Sequence, residues 1–501
     1  MKSGNLPISK NIYRNLIAVY FILYLTAKIL FIHSGVDLFS EEAQYWLWSR
    51  YPDWSYYSKP PLIAWINYLT TLVFGDNEII IRYTALGFGV ASLFMMYQLA
   101  TLLFDKKNIA FFSVIFLSVS PYFVLASTFF TTDTLLIFFW ITTGYFLIQA
   151  IRENESVDWI LTGLCFGLGM LSKYSMLFFL FALVPLFFKQ NYIRYKNGIL
   201  IFFIIGAFML TPVIIWNAEH DWVNFKHISD LSSSHKIFSF KNSLVYLSEY
   251  VGGVLLINSP FLLILLFRSK AAFKKQSQQK DEILWLTLPV IGTMAVFFTM
   301  SVFKRTEVNW GAMSYVSIPL ILAYITHKTF SYNRSIWLSG ITFSCILLLL
   351  FPLALERAGL AGVPPLKMDS LKRMAGWEEL ATKVSSLQRD YPDPTLILTD
   401  SYHIASEMSF YGRFDNLYCV NNGRRMNQFD IWGGLYEPDN QGLRAFFVTD
   451  LTHIPEHGLR YKSVEAHYTF PVKYRGEVIK TYNIFVLNDF TTDSFNYFGK
   501  Y

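Results

Sequence analysis

The sequence predicts a polytopic α-helical membrane protein with a C-terminal extracytoplasmic α/β domain. Three observations carry that reading. Hydrophobic residues make up 53% of the 501-residue chain and charged residues 16%, whereas a soluble domain carries about a quarter charged residues. Apolar stretches long enough to span a bilayer recur up to residue 356 and then stop. Short β-rich runs between turn residues follow. A chain this apolar is not a disordered one. Its three cysteines, Cys165, Cys345 and Cys419, make no disulfide framework, and two of them lie in apolar runs. The net charge of +6 is small and the basic residues are scattered, so nucleic acid is not an expected partner.

A span needs about 20 mostly apolar residues. Eleven segments qualify: 12–32, 79–103, 109–130, 134–151, 159–171, 174–188, 198–216, 243–267, 283–302, 311–329 and 335–356. The fifth and sixth are short and flank a break at Ser172-Lys173-Tyr174-Ser175, which also fits a re-entrant pair. With the N-terminus inside, sixteen Lys and Arg fall in inner segments and eight in outer loops, which favours that orientation. An odd number of spans then puts the C-terminus outside. No small-residue cleavage site follows the first apolar run, so that span is read as retained. Residues 1–356 form the transmembrane domain, with a first outer loop at 33–78, and 357–501 the extracytoplasmic domain. In the latter, Thr395–Thr399, Leu417–Val420, Ala445–Thr449 and Asn483–Leu487 read as strands, and Asp400-Ser401 caps a helix over Ala405–Tyr411. The stretch Lys270 to Lys280 is a solvated basic loop.

The polar motifs at span edges all fall outside. They are Ser40-Glu41-Glu42-Ala43-Gln44-Tyr45-Trp46 with Tyr56-Tyr57-Ser58-Lys59-Pro60-Pro61, then Thr131-Thr132-Asp133, Lys173, Trp216 to Trp222, and Lys304-Arg305-Thr306-Glu307-Val308-Asn309-Trp310. Span centres are nearly clean, Lys28 and Glu249 being the exceptions. A transporter would place its charges at mid-membrane. A reaction site at the outer surface fits better. Glu41 and Glu42 are adjacent, so on a helix they point about 100° apart and can take different roles. Ser40 as a helix cap with two glutamates in the first turn is the structural alternative. Lys304 and Arg305 can clamp a phosphate or snorkel to headgroups. Asp133 can equally cap the fourth span. His220 and Tyr57 complete the candidates. No two histidines or cysteines have metal-like spacing, and no phosphate-binding glycine loop is present, so no nucleotide cofactor is expected.

Glu41-Glu42-Ala43-Gln44-Tyr45-Trp46, Lys59-Pro60-Pro61-Leu62, Thr132-Asp133, Leu171-Ser172-Lys173-Tyr174 and Glu307-Val308-Asn309-Trp310 together resemble glycosyltransferase family 39. The resemblance covers most of residues 10–330 in order and spacing. Ala405 to Tyr411 and Asn422-Gly423-Arg424-Arg425 are similar to its bacterial galacturonosyltransferase-like group. The family usually has Asp where Glu41 stands and Pro where Val308 stands. The resemblance implies a GT-C fold in a bacterial inner membrane, with the C-terminal domain periplasmic. It implies a polyprenyl-phosphate sugar donor and an acceptor hydroxyl on lipid A, another glycan or a protein. Glu41 is then the base, with Glu42 holding sugar hydroxyls or a divalent metal if one is used. Lys59, Lys304, Arg305 and Lys173 hold the donor phosphate. Tyr57, Asp133, Glu307, Trp310 and His220 contact substrate. A flippase of lipid-linked sugars and a non-catalytic glycan-binding scaffold are the competing classes. The first would need polar span centres, the second would dispense with the Glu-Glu and Lys-Pro-Pro motifs.

Overall fold

The computed structural model describes residues 10–232, 239–258, 280–324, 370–391 and 395–492. The expected span 335–356, the basic loop before Lys280, the boundary at 356 and parts of the spans 243–267 and 311–329 lie outside these residues. The described helices of the membrane part are α1 (Lys10–Ile32), α2 (Ser40–Arg50), α3 (Leu62–Phe74), α4 (Glu78–Phe104), α5 (Lys107–Ser118), α6 (Pro121–Ala126), α7 (Thr132–Glu153), α8 (Ser156–Ser172), a 3-10 stretch Tyr174–Phe187, α9 (Lys189–Met209), α10 (Thr211–Glu219), α11 (Val223–Ser232), α12 (Phe240–Ile257) and α13 (Lys280–Phe303). Among the described residues, four segments are long and apolar enough to cross a membrane: Glu78–Phe104, Thr132–Glu153, Tyr192–Met209 and Leu284–Phe303.

The expected spans 79–103 and 134–151 match α4 and α7. The expected break after Ser172 is the junction of α8 with the 3-10 stretch. Two other expectations need correction. The segment 109–130 is two helices, divided where Pro121 withdraws a backbone donor. The segment 198–216 divides at Leu210 before Thr211-Pro212 for the same reason. Small residues let helices approach closely in a bilayer, where there is no hydrophobic drive between them. A Cβ on Gly198 of α9 would stand 2.2 Å from the Trp159 ring of α8, and one on Gly167 of α8 would stand 2.5 Å from Met209.

The first outer loop is itself largely helical. It holds α2 and the apolar α3, which at 13 residues is too short to span.

The C-terminal domain has α14 (Trp377–Arg389), α15 (Tyr402–Gly412) and α16 (Gln428–Trp432). Its strands are β1 (Thr395–Thr399), β2 (Leu417–Cys419), β3 (Leu443–Thr449), β4 (Ser463–Tyr474) and β5 (Glu477–Phe490). They form one sheet ordered β2-β1-β3-β5-β4. The first three strands are parallel, and β5 and β4 add antiparallel. Buried parallel strands read as continuous apolar runs, and β1 is buried at every position. β4 is an edge strand, mostly exposed and polar, and gives no such signal.

This domain is bolted to the first outer loop. The Trp377 amide donates to the Asp37 carboxylate at 2.8 Å. The Leu38 amide donates to the Tyr411 hydroxyl at 2.7 Å, which donates to Glu78. The Tyr57 amide donates to Gln428 at 2.7 Å. Arg413 pairs with Asp76 at 3.0 Å, and Trp46 meets Phe410 edge-on.

Glu407 lies fully buried in this joint. Burial, then the Asp37 and Glu42 carboxylates, raise its carboxyl well above the usual range. Folding therefore favours the protonated form. Its stabilising contribution is complete below the unfolded value near 4.5 and is lost as pH rises above it. The slope is roughly 1.4 kcal/mol per pH unit until the folded-state value is reached. Glu407→Gln should flatten the fall of thermal stability measured from pH 5 to pH 8. An unchanged slope would remove Glu407 as its source.

Candidate active site at the outer surface

Phe39 has extended backbone angles and starts α2, so the glutamates fall in the first turn. Phe39, not the expected Ser40, is the cap residue. The two glutamates diverge as the helical angle requires. Glu42 points inward and is 0% exposed. Its two oxygens accept from the Phe130 amide at 2.9 Å and the Phe39 amide at 3.1 Å. Arg82 stands 3.8 Å away, also fully buried, and donates to the carbonyls of Val36 and Asp37 at 2.7 and 2.6 Å. Glu42 is thus an anchor that ties α2 to the turn before α7. That corrects its expected role toward sugar hydroxyls or a metal, because its oxygens are already engaged inside the protein. Among the described residues no three His, Cys, Asp or Glu side chains gather to hold a metal ion.

Glu41 points the other way and is half-buried. The Tyr45 hydroxyl approaches its carboxylate at 3.5 Å. Lys59, Asp133 and Lys173 complete a cluster of alternating charge around it. Lys59 immediately precedes Pro60-Pro61, which stiffen the entry to α3. Asp133 lies in the first turn of α7, and Lys173 terminates α8. Lys173 pairs with Asp133 at 2.8 Å, and the Tyr122 hydroxyl donates to the same carboxylate oxygen at 2.8 Å. Burial, then the like charge of Lys173, lowers the Lys59 ammonium from its usual value, against the pull of Glu41 and Asp133. Lys59 forms no ion pair among the described residues. A bound phosphate would favour its charged form, which is the condition of a waiting anion site. From the C-terminal domain, Tyr402 at the start of α15 comes within electrostatic reach of Glu41.

The remaining candidates separate from this cluster. Lys304 donates to the Leu231 carbonyl and lies over the Trp310 ring, 5.6 Å from its centroid. Arg305 pairs with Glu249 at 3.1 Å, both side chains well exposed. Such a surface pair contributes little to stability. Glu307 is exposed and precedes a short 3-10 turn. Two expected substrate contacts take part in packing around Trp216. Tyr57 is 3% exposed and packs against Trp216 and His227. His220 bonds the Trp216 carbonyl through Nδ1 at 2.8 Å and stacks on the Trp216 ring, closing α10.

Sequence reading missed Arg82. It lies inside the expected span 79–103, where a charge is itself a signal of a buried partner or a site. Tyr402 gave no signal, since only the fold brings α15 to α2.

A family model described as dolichyl-phosphate-mannose-protein mannosyltransferase matches residues 58–216. The lipid A galacturonosyltransferase RgtD of Rhizobium johnstonii is 26% identical over 413 residues, 81% of this chain and 83% of that protein. The undecaprenyl phosphate-alpha-4-amino-4-deoxy-L-arabinose arabinosyl transferase of Photorhabdus laumondii is 25% identical over 175 residues, 34% of this chain and 31% of that one. ArnT from Cupriavidus metallidurans, solved bound to undecaprenyl phosphate, matches with a TM-score of 0.62 at 13% identity, covering 95% of this chain and 98% of that one. Its apo structure matches with a TM-score of 0.61 at 14% identity, covering 94% and 97%.

Proposed function

We propose, from the premise that the chain belongs to glycosyltransferase family 39 and has the GT-C membrane fold, that it moves a sugar from a polyprenyl-phosphate donor to an acceptor hydroxyl at the outer face of a bacterial inner membrane. The N-terminus is cytoplasmic and the C-terminal domain periplasmic in this reading. The observation that carries it is the cluster of Glu41, Lys59, Asp133 and Lys173, two carboxylates and two ammonium groups on four separate segments. The relatives named for lipid A galacturonosyl and undecaprenyl-phosphate arabinosyl transfer support the donor and the envelope acceptor.

The acceptor oxygen attacks C1 of the sugar from the side opposite the phosphate, so configuration inverts. Its proton passes to the Glu41 carboxylate. The bond from C1 to the phosphate oxygen breaks, and its electron pair leaves with the polyprenyl phosphate. Lys59 and Lys173 stabilise the charge that develops there. Asp133 holds Lys173 in place. Lys304 and Arg305 sit farther along the outer surface, where they meet the donor phosphate on its approach. Glycosidic inversion with a weakly basic leaving group needs positioning and electrostatics more than covalent chemistry.

Mass spectrometry of lipid A and the other envelope glycans tests this reading. Cells lacking the protein should lose one sugar increment from a single envelope component, and the intact gene should restore it. Identical glycan profiles in both strains would reject the assignment.

A further inference from the structure

A cleft of about 530 Å³ opens between the start of α2 and the C-terminal domain. That volume falls within the usual range of ligand pockets, about 300–1,000 Å³. Glu41 forms part of one wall. The opposite wall comes from the sheet domain, and its position follows from the topology. β1 leads through α15 to β2 on one side, whereas β3 lies on the other side of β1. The strand order therefore reverses between β1 and β3. In open α/β sheets ligands bind outside the carboxyl ends of the strands at such a reversal. Ser401 follows β1, Asp450 follows β3, and both line this cleft. Lys372, Arg373 and Lys480 line it too, against the carboxylates of Asp450 and Glu41. Asp450 is paired with Lys480 at 2.8 Å. The wall that faces Glu41 thus carries a surplus of positive charge.

We infer that this crevice binds the acceptor through an anionic saccharide headgroup, with the C-terminal domain supplying the half of the acceptor site that selects for negative charge. The inference rests on the proposed transfer reaction for what the bound saccharide is used for, but the binding itself needs no turnover. Arg373 and Lys480 contact the phosphate or carboxylate groups of the headgroup, while a neighbouring hydroxyl faces Glu41. The donor phosphate stays on the other side of Glu41, with Lys59 and Lys173. Acceptor and donor anions are thereby kept on separate cations, with the proposed base between them.

The test is equilibrium binding to the full-length protein in lipid nanodiscs, read by native mass spectrometry. The probes are bisphosphorylated lipid A, the same lipid A after removal of its phosphates, and undecaprenyl phosphate. The wild type should prefer the phosphorylated form by at least about tenfold, a single order of magnitude being modest for two charge-assisted contacts. Arg373→Glu with Lys480→Glu should abolish that preference and leave undecaprenyl phosphate binding within about twofold. Arg373→Lys with Lys480→Arg should retain it. No preference in the wild type, or a preference unchanged by charge reversal, would overturn the inference. So would an acidic peptide that competes as well as lipid A, which would reassign the crevice to a protein acceptor. A preference that follows these expectations in a chain that transfers no sugar would sink the proposed reaction and leave the crevice standing.

Discussion

Glu41→Gln should reduce sugar transfer by about 10²–10⁴-fold, the usual contribution of a positioned general base. Glutamine keeps the shape and most of the hydrogen bonding of the side chain but cannot accept the acceptor proton. Glu41 is half-buried at the start of α2, and its backbone is fixed independently by the Glu42 bonds to Phe39 and Phe130. Thermal stability should therefore change by no more than about 0.5 kcal/mol, as for a surface substitution away from packed features. Binding of undecaprenyl phosphate should persist, since Lys59 and Lys173 are untouched. Glu41→Asp should retain partial turnover, because the family pattern has Asp at this place and the change only shortens the reach of the carboxylate. Rates are read by transfer of labelled sugar from the lipid donor, alongside a melting curve. A glutamine variant of full activity would remove Glu41 as base, and an equal fall in stability would make it a structural residue.

How much of this was legible beforehand differs by level. The α4 and α7 spans were readable because a bilayer demands long apolar runs and nothing else competes with that signal. The helices divided at Pro121 and at Thr211-Pro212 read as continuous in the sequence because hydropathy averages over a break that costs only a few backbone bonds. In the sheet domain, β1 to β3 and β5 betrayed themselves through apolar runs, whereas the exposed edge β4 did not. At the site, motif order pointed to Glu41, Lys59, Asp133 and Lys173, and these four do converge. Residue type could not tell Glu41 from Glu42, because one position along a helix decides which carboxylate faces the crevice and which is buried. Nor could it reveal that Tyr57 and His220 pack around Trp216. The role of Tyr57 depends on contacts between segments more than 150 residues apart, such as Asn224 with the carbonyls of Tyr56 and Tyr57.

Arg82→Ala should cost about 3–5 kcal/mol of stability, the usual cost of breaking a buried ion pair by removing one partner. Arg82 and Glu42 are both 0% exposed and 3.8 Å apart. Removing the guanidinium leaves a carboxylate buried without a cation, and it also orphans the carbonyls of Val36 and Asp37 that Arg82 now satisfies. Glu42→Ala should be comparably damaging, since it strands the arginine and frees the Phe39 and Phe130 amides. The double variant should be less destabilised than the sum of the two, because each single change already breaks the shared pair. Melting temperatures of the four proteins measure this coupling directly. The same experiment separates two roles for Glu42. As an anchor, it loses stability first, and activity falls in proportion to the folded fraction. As a ligand for a metal or a sugar hydroxyl, it would lose activity at an unchanged melting temperature. The geometry favours the first outcome because both carboxylate oxygens already accept backbone bonds that hold α2, and hence Glu41, against the first turn of α7 where Asp133 stands.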